Sequence, residues 1–262
     1  MNTNSAKDTT IVLETKHLDV HVPGRSLIND LNWQVKKGER WCLIGRNGAG
    51  KSTLLRIIAG VQANTSAGEI NWLGQALATY TSEELAKVRA YAEQFPVGGV
   101  GLRAIDIVMA AQWPWHLDAS TGSEQAQAAL RACDVVHLAN AQWQTLSGGE
   151  RQRVSLAACF AQHTQAILLD EPTSHLDIGH QVTLLNTLVQ QSNTCEQTMI
   201  ASMHDIGLIQ RGFTHALLLM DDGSYLAGSL PEVINPINLE KSLGHPISIA
   251  QTAAGQTIYV PA

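Results

Sequence analysis

Residues 45–53 read GRNGAGKST and follow the apolar run WCLI. Their spacing satisfies G-x-x-x-x-G-K-[ST] between a predicted strand and a predicted helix. Glycines let backbone N–H groups converge on an anion, and the N-terminus of the following helix adds a favourable dipole. Lys51 would contact the β- and γ-phosphates, and Ser52 would offer Mg²⁺ a hydroxyl ligand. We therefore predict a nucleoside triphosphate site formed by Gly45, Arg46, Asn47, Gly48, Ala49, Gly50, Lys51, Ser52 and Thr53.

Two adjacent carboxylates, Asp170 and Glu171, follow the apolar segment ILL. In parallel sheets, ligands bind at the carboxyl ends of the strands, so both groups are expected to face the phosphates. We assign Asp170 to Mg²⁺, and Glu171 as the general base, or at least the orienter, of an attacking water. A solvated strand end is the alternative for such a pair on its own. The preceding glycine-rich motif makes the catalytic interpretation much more specific.

A second glycine-rich segment, LSGGERQ, occupies residues 146–152. Ser147 is suited to cap a helix that begins there. Gly148 and Gly149 would then expose backbone N–H donors at the helix N-terminus, which forms a second anion site. An ordinary helix cap followed by a tight turn is the alternative.

These groups require an alternation of strands and helices to position them. Residues 11–35 predict short antiparallel strands, with turns at Pro23-Gly24 and Asn29-Asp30. Further strands are predicted at residues 40–44, 69–73, 166–169, 198–203 and 215–220, and helices at residues 51–60, 104–112 and 123–133. Ile178, Val182, Leu185 and Val189 fall on one face of another predicted helix. The alternation predicts a mainly parallel sheet.

The composition is that of a globular protein with a sizeable core: 262 residues, 45% apolar and 15% charged. The net charge of −6 argues against nucleic acid as a partner. The polar N-terminus does not resemble a signal peptide, and no apolar run approaches the ~20 residues of a membrane span. Any membrane role is therefore expected to act through a partner. The four scattered cysteines favour a reducing, cytosolic compartment.

The motifs, taken in order, resemble those of ABC ATPases. The matching segments are GRNGAGKS, Gln94 in YAEQF, LSGGERQ, LLDEP, SHLD at residues 174–177, and His204 in SMHD. The resemblance covers nearly the whole chain and implies ATP hydrolysis with Mg²⁺. It implies that Gln94 contacts Mg²⁺ and the water, and that His204 contacts the γ-phosphate. A surface glutamine and a structural histidine are the alternatives for these two residues.

The same resemblance implies an α/β P-loop NTPase fold. Its parts are a RecA-like core with a mainly parallel sheet, an N-terminal antiparallel β subdomain and an inserted α-helical subdomain. We assign residues 11–250 to a single ABC ATPase domain. The core with its antiparallel part spans residues 11–94 and 155–235, the helical lobe residues 95–154, and a short C-terminal extension residues 236–262.

In this family two copies pair head to tail. The resemblance therefore implies that Ser147, Gly148 and Gly149 of one copy close over the triphosphate of the other, with Asp177 at the dimer seam. Residues 73–94, 110–117, 176–185 and 244–261 further resemble the ATPases of iron–siderophore, haem and cobalamin importers. Such importers contain membrane permease subunits and a substrate-binding protein. The ATPase would be peripheral, at the cytoplasmic face of the inner membrane.

Several residues depart from the family pattern or leave alternatives open. Val22 stands where many relatives stack an aromatic side chain on adenine, which predicts weak base selectivity. Gln112 and Arg46 replace a frequent arginine and a frequent proline, and Arg46 is expected to point outward. Trp113 and Trp115 are read either as a docking site for the permease or as core of the helical lobe.

Alternative functions are a soluble ABC-type ATPase acting on DNA or ribosomes, an ATPase of another transport branch, and a nucleotide-binding module without catalysis. The acidic charge and the absence of an inserted coiled coil or a second cassette disfavour the first of these. Glu171 and His204 disfavour the last.

Overall fold

Two sheets and a C-terminal hairpin organise the chain. The computed structural model describes residues 10–63, 67–94, 99, 101–174, 176–251 and 257–262. In that part, one sheet is antiparallel and contains β1 (Ile11–Val22), β2 (Arg25–Lys36), β4 (Glu69–Trp72) and β5 (Gln75–Ala76). The central sheet runs in the order β10 (Tyr225–Ser229), β9 (His215–Leu219), β3 (Arg40–Ile44), β8 (Thr198–Ser202), β7 (Ala166–Leu169) and β6 (Arg89–Ala92). All its neighbours are parallel except β9 and β10.

The helices lie on and beside this sheet. They are α1 (Lys51–Ile58), α2 (Ser82–Val88), α3 (Ala104–Ala110), α4 (Ala119–Ala132), α5 (Gly148–Ala161), α6 (Ile178–Thr194), α7 (Ile206–Ile209), α8 (Leu230–Val233) and α9 (Pro236–Leu243). None of the helices formed by the described residues combines the length and apolar character needed to cross a bilayer. The α/β fold with a mainly parallel sheet and an antiparallel N-terminal sheet is confirmed.

The central sheet is buried on both faces. In β3, Cys42 and Ile44 face one apolar cluster, whereas Trp41 and Leu43 face the other. Successive residues of a strand point to opposite faces, so a strand covered on both sides is apolar throughout. The first cluster packs against the helical segments, and the second against the antiparallel sheet and α1. The sheet is therefore a fixed platform for whatever lies at the ends of its strands.

The N-terminal hairpin differs from the expectation at one of its two turns. Pro23-Gly24 does connect β1 and β2, but Asn29 and Asp30 lie inside β2. The β1–β2 register shifts nearby, Asp30 has φ of 53°, and its N–H donates to Asp19 Oδ1 at 2.9 Å. The polar pair therefore forms a bulge within a long strand, because an acceptor on the partner strand satisfies the displaced amide.

The helix predicted around residues 178–189 forms as α6, but one residue of its predicted face lies outside the packed layer. Ile178 is 79% exposed, whereas Leu185 is buried and Val182 and Val189 pack against the same core cluster. Ile178 is the first residue of α6, immediately after the cap Asp177, so it lies beyond the layer that covers the sheet. The predicted boundary between residues 154 and 155 falls inside α5, and the predicted start of the helical lobe lies partly outside the described residues.

The C-terminal segment forms a hairpin. Strands β11 (Ile247–Gln251) and β12 (Thr257–Pro261) pair antiparallel, and the Tyr259 hydroxyl donates to the Ile234 carbonyl at 2.9 Å. The hairpin is therefore attached to the core through the loop between α8 and α9.

The strand register brings separate parts of the chain to one edge of the central sheet. Ala92, Leu169 and Ala201 pair across β6, β7 and β8, and Leu43 pairs with Ser202. The residues that follow these strands therefore emerge side by side. They include the glycine-rich turn, Gln94, the carboxylates Asp170 and Glu171, and His204.

Candidate functional site

The glycine-rich turn joins β3 to α1 at the carboxyl edge of the sheet. Gly48 and Gly50 have φ of 81° and 102°, in the left-handed region that favours glycine, and Gly50 caps α1. The Lys51 side chain is only 5% exposed, and its Nζ donates to the carbonyls of Gly45 at 2.8 Å and Arg46 at 3.1 Å. Burial lowers the pKa of Lys51, while the charges of Glu171 and Asp170 act in the opposite direction.

A cavity of about 390 Å³ opens beside this turn. It is lined by Val22, Arg25, Leu27, Asn47, Gly48, Gly50, Lys51, Ser52, Thr53 and Glu171. Three of the turn residues predicted to bind nucleotide, Gly45, Arg46 and Ala49, are not part of this lining. The Arg46 side chain is half exposed, and its Nη1 donates to Asp221 Oδ2 at 2.6 Å. The prediction from sequence omitted Arg25, although it follows directly on the Pro23-Gly24 turn.

Asp170 lies at the end of β7 and is 1% exposed. Its Oδ1 accepts hydrogen bonds from the hydroxyls of Ser52 at 2.9 Å and Ser202 at 2.7 Å. Its Oδ2 is buried and has no hydrogen-bond partner among the described residues. An unpaired buried carboxylate oxygen is costly unless something compensates it, and a hard divalent cation prefers oxygen ligands of this kind. The donor set of Asp170 and Ser52 therefore fits Mg²⁺.

Glu171 is in contact with two of the other predicted residues. Its Oε2 accepts a hydrogen bond from Gln94 Nε2 at 2.5 Å, and its Oε1 lies 2.5 Å from His204 Nε2. The backbone of Glu171 is left-handed, with φ of 48°, and its N–H donates to Ser202 Oγ at 2.8 Å. Because Glu171 also lines the cavity beside the turn, Gln94, Glu171 and His204 form one polar cluster at that cavity.

Sequence reasoning missed Ser202, whose hydroxyl connects the Asp170 carboxylate to the Glu171 backbone N–H. It is the last residue of β8 and is fully buried. The available signal was a hydroxyl at the end of an apolar strand, two residues before His204, at the edge where the other strands place their polar groups.

The second glycine-rich segment lies elsewhere. Ser147 caps α5 in a capping box: its N–H donates to Glu150 Oε2 at 2.7 Å, and the Glu150 N–H donates to Ser147 Oγ at 3.4 Å. Ser147 and Gly148 are exposed, and a Cβ added to Gly148 would meet nothing within 4 Å. The cavity beside the glycine-rich turn is not lined by Ser147, Gly148 or Gly149. One chain therefore leaves this helix N-terminus open.

Asp177 has a local structural role in the single chain. It caps α6 by accepting the His180 N–H at 2.9 Å, and its other oxygen lies 2.6 Å from His180 Nδ1. Its side chain is 69% exposed. His175, in the same predicted segment, lies outside the described residues.

Two tryptophans lie on the surface in a 3₁₀ turn between α3 and α4. Trp113 is 50% exposed and Trp115 is 39% exposed, whereas Pro114 between them is buried. Trp115 Nε1 donates to the Gln162 carbonyl at 2.6 Å, and Lys87 Nζ lies 5.7 Å from the Trp115 ring centroid. Trp115 is therefore held in place while part of its ring faces solvent.

Comparisons with known proteins agree with this geometry. The family model described as ABC transporter matches residues 28–174. The chain is 34% identical over 227 residues to the petrobactin import ATP-binding protein FpuD of Bacillus anthracis, covering 85% of this chain and 83% of that protein. It is 32% identical over 255 residues to the hemin import ATP-binding protein HmuV of Rhodococcus jostii, covering 96% of this chain and 86% of that protein.

Among solved structures, the chain is similar to one of a metal-chelate type ABC transporter in an inward-facing conformation. The TM-score is 0.82 and the identity 26%, over 96% of this chain and 98% of that one. Because the family match, the curated relatives and this fold agree over most of its length, the chain belongs to the ABC transporter family as an ATP-binding protein.

Proposed function

We propose that this chain is the ATP-hydrolysing subunit of an importer for a metal chelate, such as an iron–siderophore or haem. The observation that carries the ATPase part is the cavity beside the glycine-rich turn. Ser52, which lines it, is bonded to the Asp170 carboxylate, and Glu171, which also lines it, contacts Gln94 and His204. The names of the relatives, which refer to petrobactin and hemin import, support the substrate class.

In this proposal the triphosphate binds against residues 45–53, with Lys51 exchanging its backbone acceptors for phosphate oxygens. Ser52 and Asp170, with Gln94, would hold Mg²⁺, which neutralises charge on the β- and γ-phosphates when bound. Asp170 Oδ2 supports this role because it is buried without a partner among the described residues.

Glu171 accepts the proton of the attacking water in this proposal. Its two oxygens contact Gln94 and His204, which restrict the orientation of the carboxylate. His204 is 43% exposed beside Glu171, and in this proposal its imidazole reaches the γ-phosphate. The proposed partners are a second copy of the chain, arranged head to tail, and permease subunits, with a substrate-binding protein acting indirectly. The complex would lie at the cytoplasmic face of the membrane.

Replacement of Glu171 tests the catalytic assignment. Glu171→Gln removes the base but keeps the size of the side chain, so ATP turnover should fall by about 100-fold or more. A nucleotide-bound dimer should accumulate, measurable by size-exclusion chromatography in ATP. Glu124→Gln, at an exposed position on α4, is the matched control and should retain full turnover. Undiminished turnover in Glu171→Gln would refute the assignment.

A further inference from the structure

Ser202 joins the Asp170 carboxylate to the backbone of Glu171 through a single hydroxyl group. Its Oγ donates to Asp170 Oδ1 at 2.7 Å and accepts the Glu171 backbone N–H at 2.8 Å. A hydroxyl has one proton to donate and lone pairs to accept, so both bonds form at once. Ser202 is 0% exposed, and water therefore has no access to replace either bond.

The bond to Asp170 selects which carboxylate oxygen stays unpaired. The hydroxyls of Ser52 and Ser202 both donate to Oδ1, while Oδ2 is left without a partner among the described residues. Ser52 is itself a proposed Mg²⁺ ligand, so its hydroxyl is committed to two tasks. Ser202 lies within the sheet, where its strand position opposite Leu43 is fixed. It is therefore the more permanent of the two restraints on the Asp170 carboxylate.

The bond to Glu171 holds an unfavourable backbone. A non-glycine residue in the left-handed region is strained, and such conformations persist only where the surroundings impose them. Glu171 has φ of 48°, and its N–H is held by Ser202. This turn of the backbone leads the Glu171 side chain to Gln94 and His204.

We propose that Ser202 is a positioning residue for ATP hydrolysis: its one hydroxyl fixes the orientation of Asp170 toward the metal and the backbone of Glu171 toward the water. The inference rests on the proposed ATPase function. It assigns the coupling between the metal-binding and base-bearing residues to the first residue of the SMHD segment, to which the resemblance gives no role.

The sharpest test compares Ser202→Thr with Ser202→Val. The two replacements have nearly the same volume, so they share any steric cost, and only threonine keeps the hydroxyl. With Ser202→Val, kcat should fall about 10- to 100-fold relative to Ser202→Thr, the range seen when groups that orient metal ligands are removed. KM for ATP should change little, because the substitution does not alter the glycine-rich turn that contains Lys51.

A second readout does not depend on turnover. Binding of a fluorescent, non-hydrolysable ATP analogue is measured as Mg²⁺ is varied, at a temperature well below the unfolding transition of each variant. The Mg²⁺ concentration for half-maximal enhancement should rise about tenfold in Ser202→Val and stay near the wild-type value in Ser202→Thr.

Ser192 provides the structural control. It is also buried, and its hydroxyl donates to the Gln197 carbonyl at 2.5 Å, away from the site. Ser192→Val should lower thermal stability without changing the Mg²⁺ dependence. If the added methyl group prevents Ser202→Thr from folding, Ser202→Ala, which adds no atoms, takes its place. Its kcat should fall relative to the wild type, while its KM for ATP should change little.

The outcomes are separable. Equal kcat and equal Mg²⁺ dependence in the threonine and valine variants, or an unchanged Ser202→Ala, would overturn the role of Ser202 while leaving the ATPase assignment in place. A wild-type protein that fails to hydrolyse ATP, or that is insensitive to Glu171→Gln, would instead remove the proposed function.

Discussion

Asp170 and Glu171 are neighbours in sequence, yet their carboxylates have different environments. Asp170 continues the direction of β7 and is buried against Ser52 and Ser202. The left-handed backbone at Glu171 ends the strand geometry and directs the Glu171 side chain to Gln94 and His204. Two identical functional groups can therefore take separate roles, because the backbone between them changes conformation.

The other residue-scale question is how the base of the nucleotide is held. Val22 ends β1 and lines the cavity, where it offers no ring for stacking. We predict that the wild-type protein hydrolyses GTP at a rate comparable to ATP. Val22→Tyr should lower KM for ATP roughly tenfold, in line with ~1–3 kcal/mol for a base–aromatic stack. Steady-state kinetics with both nucleotides measure this.

Val22→Ile is the control, since it enlarges the side chain without adding a ring. A strong preference of the wild-type protein for ATP would remove the idea that the missing ring weakens base selectivity. An unchanged KM in Val22→Tyr would show that the base does not reach this position.

Among the secondary structure elements, α5 has a special position. It begins at the Ser147 cap on an exposed edge and continues to Ala161, with Val154, Leu156 and Ala157 buried in the core cluster. The segment that resembles the family signature is thus the first turn of a helix that is packed into the core. Any shift of that helix N-terminus must move packed side chains, because the core is densely filled.

In the part of the chain that the structure describes, three helices begin with a capping box that pairs a Ser or Thr with a Glu. The three glutamates are Glu84, Glu150 and Glu232. Hydrogen bonds from Thr81, Ser147 and Ser229, respectively, lower the pKa of these carboxyls below the ordinary 4.5. The ionised form is thus favoured by folding, so its stabilisation is present above pH 4.5 and is lost as pH falls through the lowered pKa values.

We therefore expect the thermal unfolding midpoint to decline as the pH is lowered from about 5 to about 3. Glu84→Gln keeps a hydrogen-bonding side chain at the third helical position but removes the titration, so its decline should be shallower than that of the wild type. Glu124→Gln, outside any capping box, should follow the wild-type curve. Parallel curves for wild type and Glu84→Gln would contradict the prediction. Differential scanning calorimetry across this pH range measures it.

At the scale of the whole molecule, the glycine-rich turn (residues 45–53) and the exposed N-terminus of α5 lie at separate places in a single chain. If each site is completed by a second copy, two different defects can compensate. Lys51→Ala disables the glycine-rich turn but leaves the N-terminus of α5 open. Ser147→Arg blocks the N-terminus of α5 but leaves the glycine-rich turn intact. Each variant alone should be nearly inactive, whereas their mixture should regain ATP turnover, because mixed dimers contain one intact composite site.

The control is to mix two preparations of the same variant, which should regain nothing. Turnover by the wild type should also rise with protein concentration, as required for an active dimer. A mixture no more active than its components would contradict the head-to-tail arrangement. So would full activity at dilutions where only monomer exists.

The partly exposed tryptophans Trp113 and Trp115 are candidate contacts for the proposed permease. Trp115→Ala should weaken association with the permease by ~2 kcal/mol or more, as for an aromatic interface anchor, and leave nucleotide affinity unchanged. Ile237→Ala, at an apolar residue 79% exposed elsewhere on the surface, should leave association unchanged. Co-purification with the permease and titration with ATP measure the two effects. Severe loss of thermal stability in Trp115→Ala would favour a core role for its ring.

Local chemistry was readable from the sequence. The strands Arg40–Ile44 and Ala166–Leu169 have the predicted bounds, and Ser147 caps its helix as expected. These features follow from short-range rules: buried strands are apolar, caps require a hydroxyl, and a glycine-rich turn needs left-handed backbone. The order of the motifs then indicated the family.

Other features depend on atoms that lie far apart in the chain, and only the tertiary structure decided them. Ser202 contacts Asp170 across a separation of 32 residues, and Gln94 contacts Glu171 across 77. The exposure of Ile178 and the bulge at Asp30 depend on which neighbour covers a face or satisfies an amide. Hydrogen bonds and burial are set by proximity in space. A pattern along the chain could therefore predict which groups would meet at the sheet edge, but it could not predict which oxygen would accept a hydrogen bond from each donor.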